Sequence, residues 1–394
     1  MLSFALQRPG GFKIHERASF FLNCLRISAA ELVLIGHIFF WFGISEAAIQ
    51  MASFGVVIFF ILSGLLISNS VFSKLHLQGY SFSAYFIDRF ARIYSGLLPV
   101  LLLILIFDLT HLTLFPEHYR SFDCIFGYPI AIPFYHDFRV ENFVGSLLML
   151  QHIPLPQFDI GFGFGSGRSL WSLGLEWWLY LSFGWTVIGY PWLRNKKWLY
   201  LTILGILWTI PAAYLIFAPV LRNLVITWYS GVLITILLAM TNSASKKPVF
   251  IGLIVALSLW VAHLLLVTQD PYDLAADLLT AAAVLCILIV LRNDRAIRST
   301  KVHSAVQFMA DYSYTLYLIH MPIIIFVHAL LAGVPEYIVI TSAFLASNAF
   351  SAFVAYYTEM RHKDLARWLK ARMLKTGGYP QRGHLSPQTA DSGD

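Results

Sequence analysis

Charge is what this sequence has least of. Asp, Glu, Lys and Arg make up 12% of its 394 residues, against roughly 25% in an ordinary soluble domain. The length would hold two or three soluble domains, yet no polar block is long enough to form one. Cysteine is equally scarce. Cys24, Cys124 and Cys286 are odd in number and have no metal-ligand spacing, so neither a disulfide framework nor a zinc site is expected. Internal repeats are missing, which argues against the repeat-built transporter folds. A cleavable leader is not expected either. The first apolar run starts near residue 27, late for such a segment, and no small-residue cleavage site follows.

What is abundant is apolar and aromatic. The chain is 58% hydrophobic, with 32 Phe, 19 Tyr and 11 Trp. A bilayer core about 30 Å thick needs about 20 apolar residues per helix. Ten such runs occur, at 27–44, 52–72, 93–115, 170–190, 198–217, 223–241, 249–267, 274–291, 312–332 and 337–358. The expectation is an all-α integral membrane protein of about ten transmembrane helices. Basic residues test that layout, because Lys and Arg concentrate in cytoplasmic segments. With both termini cytoplasmic, only Arg120, Arg139, Arg168 and Arg222 of the 27 Lys and Arg fall outside. An odd number of spans would scramble this split. The net charge of +6 therefore reflects topology, and no nucleic-acid partner is expected.

Three further segments stand out. The outer stretch 116–169 is long enough to be functional, and its 160–168 portion, IGFGFGSGR, reads as flexible and aromatic. It is either a sugar-ring contact or plain linker. Residues 361–375 place Leu365, Trp368, Leu369 and Met373 on one stripe among basic residues, which suits an interfacial amphipathic helix on the cytoplasmic leaflet. Residues 376–394 are rich in Gly, Pro and Ser and read as a disordered tail. The membrane domain proper is taken as residues 1–360.

Ionisable side chains inside spans are costly, about 2.5–3.5 kcal/mol each on insertion scales. Arg26 and His37 lie eleven residues apart in the first span. They fall within about 20° of one face and about 16 Å apart along the axis. An anion held at the rim with chemistry deeper in would need this arrangement; the competing reading is a snorkelling Arg and a His bonded to a neighbouring helix. Glu31 lies about 140° from Arg26 and about 120° from His37, so it faces a neighbouring helix or stays protonated. Arg89 and Arg92 share a helical face, which suits phosphate binding as well as ordinary anchoring. Glu176 shares a face with Ser169 and Ser172; it is an acid–base group or a structural partner for an Arg. Tyr314, Tyr317 and His320 recur at three-residue steps; His320 is either a second functional histidine or a structural one, and the structural reading is preferred. Ser63-Gly64 in mid-span reads as close helix packing.

Taken together, five segments resemble the membrane-bound acyltransferase-3 family, in the right order. They are Arg26 and His37 with ten residues between; the Gly55–Gly64 stretch GVVIFFILSG; Arg89-x-x-Arg92; Trp171-Ser-Leu-x-x-Glu176; and Ser313-Tyr-x-x-Tyr-Leu-x-His320. The resemblance spans about residues 20–360. Glu31, where the family is usually apolar, and Ser95, where a proline commonly follows, depart from it.

The resemblance implies a membrane-embedded O-acyltransferase, most often an O-acetyltransferase. The donor would be cytoplasmic acyl-CoA, typically acetyl-CoA, and the acceptor a hydroxyl of a surface or lipid-linked glycan. It implies essential roles for Arg26 and His37 and donor binding by Arg89 and Arg92, with no metal. It also implies a multi-pass place in the cell membrane, in bacteria the inner membrane, alongside polysaccharide biosynthesis proteins. Some members carry a C-terminal SGNH hydrolase-like domain; no such block is seen here, so any second transfer step is expected to need another protein. The competing function is a polytopic transporter or exporter without acyl transfer. Pro211 and Pro322 lie inside spans, and broken helices are a transporter feature.

Overall fold

The computed structural model describes residues 14–77, 79–121, 134–151, 153, 162–189, 196–240, 246–266, 272–291 and 301–374. Among them the chain forms thirteen α-helices and no strand. The first three, α1 (Glu16–Trp41), α2 (Ala48–Lys74) and α3 (Phe82–Leu114), follow one another through short turns. Two short helices come next, α4 (Pro116–Ser121) and α5 (Val140–Leu147). Then α6 (Trp171–Gly184) continues into a π-helical turn over Trp185–Gly189. The remainder are α7 (Lys197–Phe217), α8 (Pro219–Met240), α9 (Lys246–Leu266), α10 (Leu274–Leu291), α11 (Lys301–Leu330), α12 (Glu336–Tyr357) and α13 (His362–Met373).

Among the described residues, eight helical segments are long and apolar enough to cross a membrane. The two other expected spans fall on α6 with its π turn and on α9. Helices dominate because lipid offers no hydrogen bonds, so a spanning backbone must satisfy itself. At 33 residues α3 is about 50 Å long, well beyond an apolar core of about 30 Å. Arg89 and Arg92 lie in the first third of the helix. Ser81 caps it, accepting from the Ala84 backbone N–H at 3.3 Å.

Burial sorts the helices. In α2 and α11, 78% of the most apolar stretch is buried in protein, against 22% in α7. The first two form the centre of the bundle, and α7 turns Trp198, Ile206, Ile216 and Phe217 outward. The centre closes where α2 crosses α8. A Cβ on Gly64 would lie 1.9 Å from the Trp228 carbonyl oxygen, and one on Gly231 would lie 2.2 Å from that of Ile61. Only glycine permits this approach, as the Ser63-Gly64 reading anticipated. Ser68 then donates to the Thr235 hydroxyl across the same seam at 2.9 Å.

The amphipathic segment forms α13, docked on the start of α3. Ala366 and Leu369 pack with Ile87 and Ala91, and Lys370 pairs with Asp88 at 2.6 Å. Of the predicted stripe, Trp368 and Met373 remain exposed. The tail 376–394 lies outside the described residues, as does Cys124. Cys24 and Cys286 are free thiols.

The outer stretch differs from its sequence reading. Residues 162–168 are pinned, not loose. Asp108, buried in α3, accepts from the Ser166 hydroxyl at 2.6 Å and from the Ser166 backbone N–H at 2.9 Å. The Gly165 N–H donates to the Asp137 carbonyl at 2.9 Å. Arg168 pairs with Asp137 at 2.8 Å and sits 4.5 Å over the Phe134 ring. Burial pushes the Asp137 carboxyl up, with Arg168 pulling the other way. Phe164 is 3% exposed, wedged between Phe138 and Phe143. That ring is spent on packing and is not available to a sugar.

Candidate active site

One cavity of about 150 Å³ opens among α1, α2, α3, α6 and α11. Arg26, Arg89, Arg92 and Glu176, far apart in sequence, all line it, with Ser63, Ser172, Tyr180, Tyr314 and Tyr317 among the polar lining. The geometry follows from each helix. Arg26 lies in the first half of α1, Arg89 and Arg92 one turn apart in α3, and Glu176 in the second turn of α6.

The three arginines are not equivalent. Arg92 meets Glu359 at 2.7 Å, and Glu359 has no exposed surface. The Arg92 guanidinium also lies 5.5 Å over the Tyr314 ring. Among the described residues, no carboxylate forms an ion pair with Arg26 or Arg89. The Nε of Arg89 is buried with no hydrogen-bond partner, although an orphaned charged donor is expensive. With Glu359 matched to Arg92 and Glu176 the one acid on the lining, the cavity carries an excess of positive charge. That favours an anion.

Glu176 sits in a polar chain. Tyr180 donates to its carboxylate, the Ser63 hydroxyl lies 2.9 Å from the Tyr180 hydroxyl, and the Trp228 indole N–H donates to Ser63 at 3.0 Å. Of the serines sharing its helical face, Ser172 lies 2.5 Å from the Tyr317 hydroxyl. Ser169 donates to the Leu318 carbonyl at 3.4 Å.

His37 is not on the cavity lining. It lies at the next step inward. The Tyr317 ring, which is on the lining, stands 6.1 Å from the ring of His320. His320 Nε2 is 3.0 Å from His37 Nδ1, with the ring centroids 5.0 Å apart and the planes 27° from parallel. The family-like run SYTLYLIH held the signal for His320: its three-residue step puts Tyr314, Tyr317 and His320 along one edge of α11. Glu359 went unseen in the sequence. It lies in a short turn after α12, within a stretch that reads as polar tail.

Glu31 points away, as its angle predicted. It accepts from Asn348 of α12 at 3.3 Å, and Asn348 in turn accepts from Tyr312 at 3.0 Å. Among the described residues no group of three or more His, Cys, Asp or Glu is placed to hold a metal ion.

No curated protein and no solved structure matches the chain. A family model does, described as an acyltransferase domain and covering residues 19–373. That match takes in every helix from α1 to α13 and every residue around the cavity. The chain therefore belongs to the acyltransferase-3 family, and it is a membrane acyltransferase.

Proposed function

We propose that this protein is an O-acetyltransferase. It takes an acetyl group from cytoplasmic acetyl-CoA and delivers it to a hydroxyl of a surface or lipid-linked glycan. The observation that carries the donor half is the cavity: among the described residues, Arg89 and Arg26 lack carboxylate partners in a buried, positively charged space. Guanidinium groups bind phosphate oxygens through charge-assisted, often bidentate hydrogen bonds. In this reading Arg89 and Arg26 hold the donor phosphates, with Arg92 shaping the site through Glu359. The thin pantetheine arm runs inward past Tyr317 and brings the thioester to His37.

His37 then serves transfer by one of two routes. As a base it takes the proton from the acceptor hydroxyl while that oxygen attacks the thioester carbonyl. The C–S bond breaks, and the proton passes to the departing CoA thiolate. As a nucleophile its imidazole takes the acyl group itself, releasing CoA thiol, and hands it to the hydroxyl in a second step. The second route lets an acyl group cross the bilayer without CoA crossing. Glu176, hydrogen-bonded by Tyr180 and facing the same cavity, is proposed as an acid–base group or as the counter-charge that holds the arginines in place.

The acceptor side rests on the family and on topology. With both termini cytoplasmic, the outer stretch 116–169, with its pinned part 162–168, lies on the opposite side, where acceptor selectivity would reside. The place of the protein is then the cell membrane, in bacteria the inner membrane, beside the enzymes of polysaccharide assembly. Mass spectrometry of surface glycans from cells with and without the gene tests this. O-acetyl groups that depend on the gene support the reading, and identical glycans overturn it.

A further inference from the structure

The hydrogen bonds of His320 carry information about where the protons of the His37–His320 pair sit. His320 is fully buried, at 0% exposure, and each of its ring nitrogens has a partner. Its Nδ1 lies 3.1 Å from the Leu316 carbonyl oxygen. A carbonyl can only accept, so Nδ1 must carry a proton. A neutral imidazole has one N–H, which leaves His320 Nε2 as an acceptor. Its neighbour at 3.0 Å is His37 Nδ1. That contact needs one proton, and it can come only from His37. A neutral His37 with its proton on Nδ1 has a bare lone pair on Nε2.

From this we infer that His320 is a positioning residue that fixes His37 as the Nδ1–H tautomer and leaves its Nε2 free to act as base or nucleophile. The order of the chain is Leu316 carbonyl, His320, His37, with every N–H pointing from His37 towards the Leu316 carbonyl. It is the same logic by which the partner of one ring nitrogen sets the chemistry of the other. The two rings are 27° from coplanar with centroids 5.0 Å apart, the alignment that an in-plane N–H···N bond requires. Placing the proton instead on His37 Nε2 would leave two lone pairs facing each other at 3.0 Å, or would require a charged His320 with no carboxylate bonded to it. The inference rests on the proposal that His37 performs transfer, but it can fail separately.

The test is ¹⁵N NMR of histidine-labelled protein in lipid bilayers, with the His37 signals assigned by their loss in His37→Ala. The wild-type protein should show His37 protonated at Nδ1 and bare at Nε2. His320→Leu should return His37 towards the Nε2–H form usual for free imidazole and lower kcat at least tenfold, with the KM for acetyl-CoA within twofold. His320→Gln, whose amide oxygen can accept from His37, should restore the Nδ1–H form and part of kcat. An Nε2–H His37 in the wild-type protein overturns the inference whatever the variants do. So does a tautomer that is unchanged in His320→Leu. If the tautomer is as stated but His37→Ala keeps full activity, the proposed role of His37 in transfer is what fails.

Discussion

Arg92 and Glu359 form a buried ion pair at 2.7 Å, and the other carboxylate oxygen of Glu359 accepts from the Thr315 hydroxyl at 2.8 Å and from its backbone N–H at 3.0 Å. One acid thus ties the end of α12 to both α3 and α11 and neutralises one of the two arginines in the Arg-x-x-Arg pair. The other, Arg89, has no carboxylate partner among the described residues, and it is the one proposed to hold the donor. The pair that looks symmetric in sequence is unequal in the fold: one guanidinium has a carboxylate partner and the other has none among the described residues.

Glu359→Gln should therefore lower stability. Removing one partner of a buried pair typically costs about 3–5 kcal/mol, and the 27% exposure of the Arg92 side chain places this case towards the low end. The thermal midpoint of detergent-solubilised protein should fall. The double variant Arg92→Leu/Glu359→Leu should recover part of the loss, because it strands no charge. A Glu359→Gln protein that melts with the wild type would remove the ion pair from the account.

Arg89→Gln should behave differently. Hydrogen bonds to charged groups contribute about 1.5–3 kcal/mol, so the Kd for acetyl-CoA should rise about tenfold to a hundredfold. The melting temperature should change little, because no carboxylate loses its partner. Titration calorimetry measures the first and a thermal scan the second. Unchanged acetyl-CoA affinity would mean that the donor phosphates bind elsewhere.

Gly165→Ala tests the pinned segment. Gly165 has φ +53°, and a Cβ there would stand 1.9 Å from the Asp108 carboxylate oxygen. The side chain cannot fit without breaking the bonds between Asp108 and Ser166. Protease cleavage within 134–168 should become faster than in the wild type while the helices on either side persist. Equal resistance to cleavage would show that the segment is not held by Asp108.

A histidine cluster at the far end of α3 predicts a pH dependence. His118 Nδ1 lies 3.0 Å from His111 Nε2, and His118 Nε2 lies 2.9 Å from His328 Nδ1. Burial, with the neighbouring His328, pushes the His118 pKa down from 6.5 to about 4. The folded state therefore holds His118 neutral, while an unfolded chain protonates it near 6.5. The contribution to stability is complete above the unfolded value, shrinks as the pH falls below it, and is gone below about 4. The thermal midpoint should drop on acidification across that window, with a shallower drop in His118→Gln. Equal slopes would assign the acid sensitivity to other groups.

Much of this was legible in the sequence because lipid is an unforgiving solvent. Ionisable groups inside apolar runs stand out, and Arg26, Arg89, Arg92 and Glu176 turn out to surround one cavity. The angle of Glu31 was readable from helix geometry alone, although its partner Asn348 was not. What stayed hidden depends on contacts between distant segments. Glu359 sits just beyond a span, where acids are ordinary, and its burial under α3 and α11 leaves no local mark. His320 looked structural because its neighbour His37 is 283 residues away. The Gly-rich run at 162–168 has the composition of a linker, and the residues that hold it, Asp108 and Asp137, lie far away in sequence.

His37 is proposed to mediate acetyl transfer from a donor held at the cavity arginines. The most direct measurement is the movement of labelled acetyl from acetyl-CoA onto surface glycan in membranes carrying either the wild-type protein or His37→Ala, at matched protein levels. The account predicts label on glycan with the wild type and none above background with His37→Ala. Equal labelling by the two proteins would contradict it.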